Sequence, residues 1–131
     1  MATICKEFLV DVPVEQAWDV VRDIGAVHTR FARGFVTDTK MDGDARVVTF
    51  ANGMTAREVI VDLNEETRRL SYAILGGVLT HHNASFQVFP EGAHTRFVWN
   101  ADLLPNNMKA TIDGMMEAGC DAIKRSLASG K

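Results

Sequence analysis

Residues 105–129 read PNNMKATIDGMMEAGCDAIKRSLAS, and this stretch decides the fold. Met108, Ile112, Met115, Met116, Ile123 and Leu127 recur at the spacing of one helical face, and no proline follows Pro105. The chain ahead of it carries strand-like patterns and no second long helix. A lone long helix must bury its apolar stripe, and the only partner on offer is a sheet. Gly114, Gly119 and Cys120 interrupt that stripe with small residues. A sheet curled around such a helix is expected to leave a hole, and a hole of this kind suits a small, largely apolar molecule.

The preceding segments supply that sheet. Residues 35–41, 45–51, 55–64, 68–75, 79–90 and 94–104 are rich in β-branched and aromatic side chains. Turn signals separate them: Asp42-Gly43-Asp44, Asn52-Gly53, Glu65 to Arg68, Gly76-Gly77 and Glu91-Gly92. Residues 3–11 form one further strand at the start. Pro13 then opens a short amphipathic helix over 13–22, with Val14, Ala17, Trp18 and Val21 on one side. Asp23 is placed to cap a second short helix over 24–32, with Val27 and Phe31 inward. The order is β-αα-ββββββ-α, an α+β fold. Short connections predict an antiparallel meander of about seven strands, curved around the last helix with the short helices closing one end.

The 131 residues suit one domain, spanning 1–131. Apolar residues make up 47% and charged residues 24%, with net charge −3. No basic block favours a nucleic acid, and no apolar run is long enough to insert in a bilayer. Lys6 and Glu7 interrupt the apolar start, which speaks against a secretory signal and for a cytoplasmic location. Cys5 and Cys120 are isolated, and His28, His81, His82 and His94 form no ligand pattern, so no metal is expected. No glycine-rich phosphate motif is present, so no cofactor is expected.

Three stretches carry a resemblance: VPVEQAWDVVRDIGAV (12–27), GMTAREVIVDLNEETRRLSYAILGG (53–77) and VFPEGAHTRFVWNADL (88–103). They resemble the START-related, Bet v 1-like helix-grip superfamily, and within it the polyketide cyclase/dehydrase and lipid-transport-like proteins. The resemblance spans essentially the whole chain. The middle stretch is also similar to plant abscisic-acid receptors. By that resemblance residues 52–56 take the place of a gate loop and residues 76–83 that of a latch loop. Where those receptors carry a lysine for the hormone's carboxylate, this chain reads Phe35-Val36-Thr37, and its gate lacks their proline. The resemblance therefore implies fold and pocket, not the hormone.

Glu58 shares a strand face with Ala56 and Ile60, and the resemblance turns that face inward. A carboxylate there could act as acid or base; on the opposite register it is a solvated side chain. Tyr72 and Ile74 share the inward face of their strand, where a phenol can bond a ligand carbonyl or simply pack. For residues 98–100 two readings stand. The resemblance favours Val98 and Asn100 inward, whereas hydrophobicity favours Trp99. His81 and His82 face opposite ways, so at most one meets a ligand. Arg30, with His28 and Arg33, is either an anion contact at the entrance or part of a solvated face. Cys120 has no base partner in the sequence.

The expected ligand contacts are Val48, Phe50, Met54, Glu58, Ile60, Tyr72, Ile74, His82, Phe86, Val98, Asn100, Met115, Met116, Gly119 and Ile123. Glu58 and Tyr72 would be catalytic only if the protein is an enzyme. The leading expectation is a binder or carrier of a small hydrophobic molecule such as a lipid, isoprenoid or polyketide-like compound. The alternative is a cyclase, dehydratase or isomerase using acid–base chemistry. A third is a homodimerising module with Phe97 and Trp99 on its convex face. Either a monomer or a homodimer is compatible with the sequence.

Overall fold

A computed structural model describes residues 1–129. The strands are β1 (Ala2–Val10), β2 (Val36–Asp42), β3 (Ala45–Phe50), β4 (Thr55–Asn64), β5 (Arg69–Leu75), β6 (His81–Glu91) and β7 (His94–Leu104). The helices are α1 (Val14–Arg22) and α2 (Lys109–Ser129), the latter entered through a tight turn at Asn106–Met108. The strands form one sheet in the order β1-β7-β6-β5-β4-β3-β2, with every neighbour pair antiparallel. Hairpins explain the run from β2 to β7. The helical insertion keeps β1 away from β2, and β1 pairs with β7 instead, from Ala2 opposite Leu103 to Val10 opposite Thr95.

Alternation sets what faces inward. In β7 the buried side chains are Thr95, Phe97, Trp99, Ala101 and Leu103. In β1 they are Ala2, Ile4, Phe8 and Val10, and the Phe8 and Phe97 rings stack at 5.1 Å. α2 lies over this concave face with Met116, Cys120, Ala122, Ile123 and Leu127 buried. Full burial of a side chain such as Ile123 or Leu127 contributes about 1.5–3 kcal/mol. Lys6, on the inner face of β1 near the sheet edge, reaches across to Asp113 at 2.5 Å and Glu117 at 2.7 Å, fastening α2 to β1.

α1 covers the other end of the sheet. Its Trp18 indole donates to Glu65 Oε1 at 2.8 Å, which makes Trp18 an anchor to the β4–β5 turn. The second short helix is briefer than the sequence suggests. Only Val27–Phe31 forms a wide helical turn, closed by Ala32 N–H to Val27 O at 2.8 Å. Asp23 does not cap it, because its carboxylate accepts from Arg30 Nη1 at 2.8 Å. The turn is tied to α2 by Arg33 N–H to Ser126 Oγ at 3.0 Å.

Candidate functional site

Sheet and helix do not meet everywhere. Between them lies a cavity of about 90 Å³. Its floor is the middle of the sheet, its roof is α2, and the turn bearing Val27 and Phe31 closes one side. The roof offers Ile112, Met115, Met116, Gly119 and Ile123, with no polar side chain. Gly119 is required by the floor. A Cβ there would sit 3.0 Å from Trp99 Cη2 and Cζ3 and 3.4 Å from Phe35 Cε2.

The floor is different. A row of polar groups crosses it, set by strand register: Arg46 of β3 stands opposite Glu58 of β4, and Glu58 stands opposite Ile74 of β5. Arg46 Nε donates to Glu58 Oε1 at 2.8 Å, and the two residues are only 3% and 7% exposed. Arg46 Nη1 donates to Ile24 O at 3.3 Å, and the guanidinium lies 5.6 Å from the Tyr72 ring centre. Among the described residues, Arg46 Nη2 and Glu58 Oε2 have no hydrogen-bond partner. Both side chains line the cavity, so one donor position and one acceptor position are left for whatever occupies it.

His82 ends the row. The β5–β6 ladder runs from Arg69 opposite Gln87 to Tyr72 opposite Ala84. Beyond it, Ile74 N–H bonds to the His82 ring at Nδ1, 3.0 Å away. With Nδ1 accepting, the neutral ring carries its proton on Nε2. Burial, aided by the neighbouring His81, pushes the His82 pKa down to about 4, so the ring is uncharged at neutral pH. Tyr72 accepts from the Trp99 indole N–H at 3.0 Å. Burial, and then the charge of Glu58, hold its phenol protonated far above the ordinary range. At neutral pH Tyr72 is therefore a hydrogen-bond donor and not a base.

Of the residues expected from sequence, Val48, Phe50, Glu58, Tyr72, Ile74, His82, Phe86, Met115, Met116, Gly119 and Ile123 line the cavity. Four do not. Val98 and Asn100 lie on the outer face, because the inner face of β7 is taken by Phe97, Trp99 and Ala101, whose burial removes far more apolar area from water. Met54 is 60% exposed. Its turn closes on itself through Phe50 N–H to Met54 O at 2.8 Å, leaving the side chain in solvent. Ile60 packs on the core away from the cavity, where β4 shifts register between Ile60 and Asp62. With Phe97 and Trp99 buried, a convex dimer face built on them is ruled out. Glu58 is also not the isolated carboxylate that the sequence suggested, since Arg46 shares it.

Arg30 is held by Asp19 and Asp23, each at 2.8 Å, and is not free for an anion at an entrance. Burial pushes the Cys120 thiol up to about 11, which leaves it a protonated core residue. The expected contacts left out Arg46, Phe31 and Phe35, whereas Trp99 lines the cavity as the hydrophobicity reading had it. Arg46 was within reach: it shares a strand face with Val48 and Phe50, both already read as inward.

A second hollow, about 380 Å³, opens beside the first between the β3–β4 turn and the start of α2. Phe35, Phe50 and Met115 line both hollows and form the partition, with the two rings 5.3 Å apart. Asn52, the first residue of the loop that the resemblance reads as a gate, and Ala51 before it border this outer hollow, whereas of residues 76–83 His82 alone borders either hollow. Among the described residues no group of histidine, cysteine or carboxylate side chains is clustered to hold a metal ion. None of the described helices is long and apolar enough to cross a membrane.

The family model for polyketide cyclase/dehydrase and lipid transport proteins matches residues 1–128. No curated protein matches the chain significantly. Among solved structures, the protein XoxI from Bacillus cereus superposes with a TM-score of 0.86 at 17% identity, covering 98% of this chain and 96% of the other. A START superfamily protein from Mycobacterium smegmatis gives 0.79 at 14% identity, covering 98% and 99%. Norcoclaurine synthase from Thalictrum flavum, solved with dopamine and hydroxybenzaldehyde, gives 0.71 at 18% identity, covering 99% and 88%. At these identities the likeness is one of fold: the helix-grip arrangement of a curved sheet around a long final helix.

Proposed function

Because the chain belongs to the polyketide cyclase/dehydrase and lipid transport family, we propose that it binds or carries a small hydrophobic molecule in the cavity between sheet and α2. The ligand is a lipid, isoprenoid or polyketide-like compound. One observation carries the reading: a mostly apolar hollow between sheet and helix whose few polar groups converge on one wall. Size constrains it further. Pockets for drug-sized ligands run to roughly 300–1,000 Å³, and a dry cavity of about 150 Å³ is enough for benzene. At about 90 Å³ the cavity suits a molecule of about one ring, after modest movement of Met115 and Met116. A longer ligand requires the Phe35–Phe50–Met115 partition to part and join the outer hollow.

Native mass spectrometry of protein purified from cells tests this reading. A retained small-molecule mass, with a rise in melting temperature on adding it back, is the expected result. Protein that carries no mass and gains no stability from any apolar probe would contradict it.

A second reading is a cyclase, dehydratase or isomerase. Its support is the meeting of the Glu58 carboxylate with two donors, the Tyr72 hydroxyl and Arg46, in one apolar hollow. Such a set suits proton removal next to a carbonyl whose oxyanion needs donors. Glu58→Gln and Tyr72→Phe should each depress turnover of a true substrate by about 10²–10⁴-fold, the share of general acid–base catalysis. Unchanged turnover in both would remove the reading.

A further inference from the structure

The cavity is polar on one wall only, and its polar wall is electrically balanced. Arg46 and Glu58 neutralise each other through the 2.8 Å bond. Each keeps one unpartnered position, Nη2 as donor and Oε2 as acceptor. The other polar groups of that wall are uncharged at neutral pH: His82 with its proton on Nε2, and Tyr72 with its hydroxyl proton. The roof supplied by α2 is apolar throughout.

We infer that the site selects an uncharged, ring-sized molecule whose single polar edge both donates and accepts hydrogen bonds, as an amide or hydroxyl does. The inference rests on the cavity-binding reading above. An anion would be drawn to Arg46 but pressed against Glu58. To bind, it would have to break a buried pair and leave a carboxylate unpaired, which is far costlier than the contact it gains. A cation meets the mirror-image problem at Arg46. A wholly apolar molecule would strip water from Nη2 and Oε2 and replace it with nothing. An amide or hydroxyl edge can accept from Arg46 and donate to Glu58 while its ring lies against Met116 and Ile123.

Three probes of the same shape separate these cases: benzamide, benzoate and α-methylstyrene, titrated at neutral pH into the ¹⁵N-labelled protein. The indole N–H signals are the readout. Trp99 lies at the cavity and Trp18 is hydrogen-bonded to Glu65 away from it. The expected result is a Trp99 shift with Trp18 unmoved, and benzamide binding about tenfold or more tighter than either other probe. In Glu58→Gln, Arg46 loses its counter-charge, and the preference should turn to benzoate. In Arg46→Met/Glu58→Leu, which keeps the volume without the charges, benzamide and α-methylstyrene should bind alike. Equal binding of benzamide and α-methylstyrene by the unaltered protein, or tightest binding of benzoate, would overturn the inference and leave cavity binding intact. No Trp99 shift with any probe would overturn the binding reading itself.

Discussion

The two walls of the cavity are built from opposite materials. The sheet wall holds Arg46, Glu58, Tyr72 and His82, each locked by a hydrogen bond to a neighbouring side chain or backbone group. The α2 wall holds Met115, Met116, Ile112 and Ile123, side chains with no polar partner to fix them, plus one glycine in tight contact. Strand register makes the first wall rigid, because a slip of one residue would send every polar group to the outer face. Methionine makes the second wall adaptable. On the proposed function, orientation of a ligand falls to the sheet and accommodation of its bulk to the helix.

If that division is right, the largest effect comes from halving the charge pair. Glu58→Leu leaves Arg46 buried without its partner and should cost about 3–5 kcal/mol in urea unfolding. Arg46→Met/Glu58→Leu should recover most of that loss. A double variant as unstable as the single one would mean that the pair itself holds the fold together. On the helix wall, Gly119→Ala drives a methyl against the Trp99 ring and should cost about 2 kcal/mol, with a smaller cavity in its crystal structure.

The sheet wall also predicts a pH dependence. Unfolded, His82 titrates near 6.5; folded, it resists protonation until about 4. Below pH 6.5 the unfolded chain takes up a proton that the folded protein refuses. The His82 contribution is therefore complete above 6.5 and lost as the pH falls toward 4. Allowing for solvent screening, the loss is on the order of 1–2 kcal/mol. His82→Gln should remove that part of the slope when unfolding is followed from pH 7 to 4, and an unchanged slope would place the titration elsewhere. The smallest effect sharpens the contrast within α2. Gly114 has nothing within 4 Å of where its Cβ would be. Gly114→Ala should therefore stabilise the helix by up to about 1 kcal/mol without touching the cavity, in contrast to Gly119→Ala.

Much of this architecture is legible in the residues. β4 over 55–64 and β7 over 94–104 match the sequence reading residue for residue, because turn-forming dipeptides bracket alternating segments. α2 announces itself by period and by the lack of proline after Pro105. The site is less legible, and for a local reason. β7 carries apolar side chains on both faces, Val98 outside as well as Phe97 and Trp99 inside, so alternation alone leaves its facing open. Arg46 escaped because a lone arginine reads as solvent-facing until its cross-strand partner is known. That partner depends on the β3–β4 register, which the tight 51–54 turn sets. The short Val27–Phe31 turn is flanked by a bond from Arg30 to Asp23 that no periodicity reveals.

The most direct trial of a cavity that receives a ligand is a crystal structure of the protein soaked with benzamide. The account predicts the ring between Met116 and the sheet, with its amide within hydrogen-bond distance of Arg46 Nη2 and Glu58 Oε2. A cavity closed by its own side chains, or benzamide held only at the outer surface, would contradict it.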